Sequence, residues 1–448
     1  MSLNRTVLQN GCVITLDKGL GDFRRADVLI EGSKIAAVGP DLVADDAEVI
    51  DASNMIVMPG FVDTHRHMWV DILRNIAVDL PFQGDVSYAA VVFNILAPAF
   101  RPQDVYAGNL VAALGAINAG ITTVLDWSHI QVSPDYTDMA IKALQDAGMR
   151  AVFAYGTPWF EPTKPEQPAW FRRTAERYFS SKDQLLTLGM APLGPEFSSL
   201  DDVKTYWQLA REYDARISVH VGVGSSGQHG KLAEAGRAGL LGPDTTYVHC
   251  NTLSDEEIQM IVDTGGTVSL CTPVEMIMGL GMPPAQRFLD RGLRPSLGVD
   301  AETTVPSDMF TQMRTLLPLQ RMLIFDQGLA GKANLPPLLT ARDVLEFATT
   351  EGARANGLAG KVGTLTPGKE ADVILLRTDQ VNIMPVNDPV GAVVWGMDTS
   401  NVDSVFVAGN ALKRNGRLVN VDLDRVGKLV HESRDYVVET SGFKMPAF

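Results

Sequence analysis

Eight short runs rich in β-branched residues, separated by longer amphipathic stretches, fill the middle of this chain and leave few folds open to it. The runs are GFVDTHRH (Gly60 to His67), ITTVLDW (Ile121 to Trp127), RAVFAYG (Arg150 to Gly156), LLTLGMAPLG (Leu185 to Gly194), ISVHVGV (Ile217 to Val223), TTYVHCN (Thr245 to Asn251), GTVSLCT (Gly266 to Thr272) and RPSLGVD (Arg294 to Asp300). Between them, DVYAGNLVAALGAINAG, YTDMAIKALQDAG and SDEEIQMIVDTG read as helices, each stopped by a glycine suited to a helix C-cap. This alternation predicts an α/β fold, a (β/α)8 TIM-like barrel over residues 59–362, with its chemistry at the carboxyl ends of the strands.

The flanks follow a different pattern. Short alternating runs broken by Gly and Asp (TVLQNGCVITL, ADVLIEGSKIAAVG, AEVIDASNMIV) precede the barrel, and GTLTPGKEADVILL, AVVWG and VDSVFVAGNALKRNGRLV follow it. All read as strands. Neither flank has enough strands to close a sheet alone, so residues 1–58 and 363–448 are expected to pair into one small β-sandwich domain built from both chain termini, ending in a C-terminal tail.

Charge and cysteine content narrow the setting. With 53 acidic against 38 basic residues the formal charge is −15, which repels nucleic-acid backbones and anionic membranes. Three cysteines without paired spacing argue against a disulfide framework. The amino terminus lacks the basic start and apolar block of a signal peptide, and the strongest apolar stretch, Tyr88 to Phe100, is too short to span a bilayer. A cytoplasmic protein with a small-molecule substrate, and with neither nucleic acid nor membrane as partner, is expected.

Four of the seven histidines fall at or near strand ends: His65, His67, His220 and His249. His65 and His67 are two apart, so in a strand they point to the same side with Cα atoms roughly 6.6 Å apart. Asp300 ends the eighth strand after an apolar stretch, where a carboxylate is costly to bury without a cation or hydrogen-bond donors. Together these residues point to a metal site. His129, near the end of the second strand, is a candidate for the pocket wall or for a plain hydrogen-bonded role. Cys250 and Cys271 read as buried inert thiols.

The combination of His65-x-His67 after PGFVD, His220, His249, Asp300 and the closing GTLTPGKEADVILL resembles the amidohydrolase superfamily, especially its cytosine deaminase and triazine hydrolase (ATZ/TRZ) branch. The resemblance covers almost the entire chain. It implies one divalent metal ion, usually zinc or iron, held by His65, His67, His220 and Asp300, with His249 contacting the metal-bound water or the substrate, and it implies a dimer or larger homo-oligomer. Neutral imidazoles and a carboxylate suit zinc, iron or manganese, and water at the open position becomes hydroxide near neutral pH. Asp300 can take that water's proton and deliver it to the leaving group, and His249 can orient the water or stabilise an oxyanion. The fourth strand end has no lysine to bridge two metals, so one ion is preferred.

Two positions depart from the branch. Its deaminases carry a proton-shuttling glutamate three residues after the fifth-strand histidine, where this chain has Val223, and relatives often carry a seventh-strand histidine where Leu270 stands. Glu275 and Glu302, each just beyond a strand end, are candidates to take over as acid or substrate anchor. Trp69, Trp127, Trp159 and the Met276, Met278 and Met282 cluster are candidates for an apolar wall against a planar substrate. The GSSGQHG segment (Gly224 to Gly230) reads as a mobile loop able to cover the site. The leading expectation is a mononuclear metal-dependent hydrolase of a carbon–nitrogen bond, not a peptide bond, in a small cyclic or aromatic compound, with its deaminase subtype open. The alternatives are a hydrolytic dehalogenase of a heteroaromatic ring, a metal-dependent lyase or isomerase, and a catalytically silent metal-binding protein.

Overall fold

The computed structural model describes residues 5–161 and 164–445. Eight strands form the central sheet: β1 (Phe61–Arg66), β2 (Ile121–Ser128), β3 (Arg150–Gly156), β4 (Leu186–Ala191), β5 (Arg216–Val221), β6 (Thr245–His249), β7 (Thr267–Leu270) and β8 (Ser296–Leu297). They are hydrogen-bonded in chain order, and the registers of β3 to β8 are parallel. Just past β8, the Asp300 N–H donates to the His65 carbonyl at 2.8 Å and the His67 N–H donates to the Asp300 carbonyl at 2.8 Å, so the eighth strand returns to the first and the barrel closes. Every residue of β1, β2 and β3 is buried, as expected of parallel strands covered on both faces. Gly298 makes the closure possible, because a Cβ there would sit 2.9 Å from that of His65.

Nine strands form a second sheet. Five come from the chain's start (Arg5–Val13, Phe23–Glu31, Lys34–Gly39, Glu48–Asp51, Met55–Pro59) and four from its end (Val373–Arg377, Val402–Val407, Asn410–Arg414, Arg417–Leu418). The two ends join where Val373–Arg377 pairs antiparallel with Met55–Pro59, Leu375 opposite Val57. Leu8, Val28, Ile30, Val57, Val373, Leu375 and Phe406 form its core, each burial contributing about 1.5–3 kcal/mol against exposure. AVVWG is not a strand: Asp388 caps a helical turn at Pro389–Gly391 that continues as a π-helical turn over Ala392–Gly396. Periodicity cannot separate helix from strand in an apolar run this short.

By internal contacts the chain divides into two compact units. One is residues 1–63, 115–123 and 308–421, and the other is residues 64–114, 124–307 and 422–448. The second unit includes a helix at Leu423–Ser441 in the stretch read as tail, capped by the Asp422 side chain and ended by left-handed Gly442. The GSSGQHG segment forms a 3-10 helix (Gly224–His229) tied to Gln83 through Ser225 and Ser226, rather than an open loop. Among the described residues no helix is long and apolar enough to cross a membrane.

Candidate active site

All the residues of the site belong to the second unit. β1 carries His65 and ends at Arg66, with His67 the next residue, and the His65 and His67 rings lie 4.7 Å apart. His220, on β5, brings its Nε2 to 3.1 Å from that of His65. Asp300 Oδ1 lies 3.6 Å from His65 Nε2 and 3.4 Å from His67 Nε2, while Oδ2 faces His249 Nε2 at 3.6 Å. His249 and Asp300 both have positive φ, 73° in each case. Non-glycine residues adopt that conformation at a cost and chiefly where the surroundings impose it, often at functional sites.

Two sets of donor atoms, from His65, His67 and His220 and from His65, His249 and Asp300, each lie within 4.8 Å of one another and share His65. Bonds of about 2.0–2.2 Å to one tetrahedral centre put neighbouring ligand atoms about 3.3–3.6 Å apart. The spacings at Asp300 fall in that range, and the His65–His220 spacing is slightly tighter. The side chains thus form a group able to hold a small divalent ion. His67 is fixed for it: Nδ1 lies 3.0 Å from the Trp127 carbonyl, which can only accept, so Nδ1 carries the proton and the Nε2 lone pair faces the centre. Burial pushes the His67 and His220 imidazoles well below the ordinary histidine value, and nearby histidines push the same way, keeping both rings neutral. Burial pushes the Asp300 carboxyl up, but the His65 and His249 imidazoles that face it outweigh that and hold it well below the usual carboxylate value.

Behind this group stands Glu275, in the first turn of the Thr272–Ile277 helix and fully buried. Its Oε1 lies 3.3 Å from His249 Nδ1 and accepts from the Cys271 N–H at 2.7 Å. Burial alone lowers the His249 pKa. The hydrogen bond to Glu275 and the charge of Asp300 reverse that and raise it.

In front lies an apolar cavity walled by Phe82, Tyr88, Phe93, Trp127, Trp159 and Phe197, with His67, His129, His220, His249 and Asp300 also lining it. Of the residues expected in the wall, Trp127, Trp159, His129 and Met278 are there. Trp69 is not: fully buried, it donates from Nε1 to His129 Nδ1 at 3.3 Å and supports that ring from behind. Met276 and Met282 are exposed.

Glu302 also corrects the expectation of a substrate anchor. It is ion-paired with Arg66 Nη1 at 2.6 Å and Arg74 Nε at 2.7 Å, away from the cavity. Burial pushes the neighbouring Asp71 carboxyl well up, helped by the charge of Glu302, whereas Arg66 and Arg74 keep Glu302 low. Glu302→Ala removes the carboxylate that balances the fully buried Arg66 head and is expected to cost about 3–5 kcal/mol. Urea unfolding measures that loss. A variant as stable as the parent would contradict this structural role.

The sequence reading missed Glu196. It follows β4 in LGPEF and accepts hydrogen bonds from the backbone N–H groups of Gly222 and Val223, the latter at 3.4 Å. Burial pushes its carboxyl up to about 7, the backbone donors opposing. A carboxylate just past a barrel strand was the available signal. Tyr88 and Phe93 were also missed as wall residues. Tyr88 immediately precedes a π-helical segment, Ala89–Leu96, a geometry frequent at functional sites, and Phe93 lies within it.

Comparison with known proteins agrees with this architecture. The Amidohydrolase family pattern matches residues 56–412. The 5'-deoxyadenosine deaminase of Methanothermobacter thermautotrophicus is 31% identical over 434 residues, covering 93% of this chain and 95% of the relative. The 5-methylthioadenosine/S-adenosylhomocysteine deaminase of Pyrococcus abyssi is 27% identical, covering 90% and 92%. In fold, the chain matches an adenosine deaminase from Xanthomonas campestris with bound zinc (TM-score 0.85, 21% identity, 98% and 99% covered). It also matches atrazine chlorohydrolase from Arthrobacter aurescens TC1 complexed with zinc (TM-score 0.83, 22% identity, 96% and 100% covered). The chain belongs to the amidohydrolase family and is a hydrolase acting on carbon–nitrogen bonds other than peptide bonds.

Proposed function

We propose that this enzyme holds one divalent ion, zinc by the character of its donors, through His65, His67, His220 and Asp300, and hydrolyses a carbon–nitrogen bond in a small cyclic or aromatic compound. Two triads of converging donors that share His65, one of His65, His67 and His220 and one of His65, His249 and Asp300, set against an aromatic cavity, carry this reading. Once bound, the ion supplies Lewis acidity and makes water nucleophilic at neutral pH.

The chain's own residues do the rest. The two oxygens of Asp300 divide the work: Oδ1 faces His65 and His67, leaving Oδ2 to take a proton from the attacking water and pass it to the leaving nitrogen. His249 stabilises negative charge developing on the substrate. Glu275 acts through it as a positioning residue, its Oε1 accepting a hydrogen bond from Nδ1–H so that Nε2 points into the cavity. The aromatic wall excludes water and holds a flat ring over the base.

Turnover in 18O-labelled water tests the proposal. One labelled oxygen is expected in the carbon-side product for each nitrogen group released. Turnover without label would indicate a lyase or isomerase and end the hydrolytic assignment for that substrate.

A further inference from the structure

The Met309–Leu329 helix is apolar on two faces. One buries Met313, Leu317 and Ile324. The other leaves Pro318, Met322, Phe325 and Leu329 exposed, spaced four, three and four residues apart. That is the spacing of a helix-packing seam, and it lines the four up along about 17 Å of the axis. A surface helix normally sets an apolar face against the core and a polar face toward water, but here the outward face is apolar too. Trp395, on the π-helical turn at Ala392–Gly396, joins the stripe in one groove with Arg321 and Asp326. All of these residues lie within the first compact unit, and none belongs to the catalytic site.

The patch is large. Met322, Phe325 and Trp395 are 58%, 51% and 50% exposed, and Leu329 is 89% exposed. At about 150–250 Å² for a large side chain, those fractions leave roughly 500 Å² of apolar surface in one place. Monomers rarely expose more than a few hundred, and a standard interface takes about 800 Å² from each side. The patch therefore supplies more than half of what a stable dimer buries, as an apolar centre within a polar rim.

The charges beside the stripe select the occupant. At about 100° per residue, Arg321 lies on one flank of the stripe and Asp326 on the other. Arg321 donates from Nη1 to the Leu339 carbonyl at 3.0 Å, and its guanidinium lies 5.7 Å from the centre of the Phe325 ring. Neither Arg321 nor Asp326 has an ion-pair partner among the described residues. When two copies of this helix lie side by side in the same direction about a two-fold axis, the Arg321 flank of each meets the Asp326 flank of the other, and the pairing is made twice. The same axis sets Met322 on Met322 and Phe325 on Phe325. A face that carries its own complement in this way fits a second copy of itself. We propose that the Met309–Leu329 helix is the centre of a two-fold interface between copies of this chain, in which the Pro318–Leu329 stripe and Trp395 are buried and Arg321 pairs with Asp326 of the other copy.

Sedimentation velocity on the full chain tests this. The parent is expected to run as a dimer at about 10 µM. Phe325→Glu sets two carboxylates against each other at the axis and is expected to weaken association about a hundredfold or more, with the circular dichroism spectrum unchanged. Arg321→Glu and Asp326→Arg each bring like charges together twice, and each is expected to weaken it about tenfold or more. Mixed one to one, these two variants regain complementary pairs, so a heterodimer of near-parental affinity is expected, a result that loss of folding cannot imitate. A parent that stays monomeric at about 50 µM overturns the proposal and leaves the face to a different protein. A dimer undiminished in Phe325→Glu, or a mixture that associates no better than either charge variant alone, overturns it as well.

Discussion

Stripping the ion with a strong chelator is expected to abolish turnover, and one equivalent of zinc to restore it. The sharper form of this prediction concerns His65. It belongs to both sets of converging donors, its Nε2 lies 3.1 Å from that of His220 and 3.6 Å from Asp300 Oδ1, and its backbone carbonyl accepts the bond that closes the barrel on Asp300. His65→Ala leaves that backbone bond in place and removes only the ring. It should therefore bind less than a tenth of an equivalent of metal while retaining the fold by circular dichroism. A Lewis acid contributes several kcal/mol to the barrier, so the expected fall in kcat/KM is about 10³-fold or more. His129→Ala provides the contrast, because its ring lines the cavity but belongs to neither donor set. Metal content should be unchanged there. Full metal occupancy in His65→Ala would remove the basis for the proposed centre.

The parts of this site that the sequence discloses are those governed by strand geometry. His65 and His67 are legible because period two places them on one side, and His220, His249 and Asp300 because each is a polar residue at or just past the end of an apolar strand. The union of the two chain ends is legible because neither flank could complete a sheet alone. What stays hidden depends on contacts between distant segments. Nothing local marks Glu302 as a partner of Arg66, 236 residues away, and a carboxylate after a strand looks the same whether it faces a substrate or an arginine. Trp69 and Trp127 are equally plausible wall residues until their packing separates them. Tyr88 and Phe93 escape notice because a π-helical turn follows neither a helical nor a strand period. Glu196 reaches the turn after β5 from the end of β4, a position that no spacing rule describes.

Asp300→Asn separates proton transfer from metal binding. The substitution keeps the shape of the side chain and an oxygen near His65 and His67, but an amide cannot accept the water's proton. The expected loss in kcat is about 10²–10⁴-fold, the usual contribution of a positioned acid or base, with substantial metal retained. His249 supplies a second readout. Its raised pKa depends partly on the Asp300 charge, so neutralising that residue should lower it, and the group governing the basic side of the residual pH profile should move to lower pH if it is His249. Glu275 stays on Nδ1 in the variant, so any remaining rate reports the His249–Glu275 pair working without Asp300. A variant with full metal and an unchanged kcat would reassign the proton transfer. Glu196, with its carboxyl pushed up to about 7 beside Val223, would then be the first group to substitute.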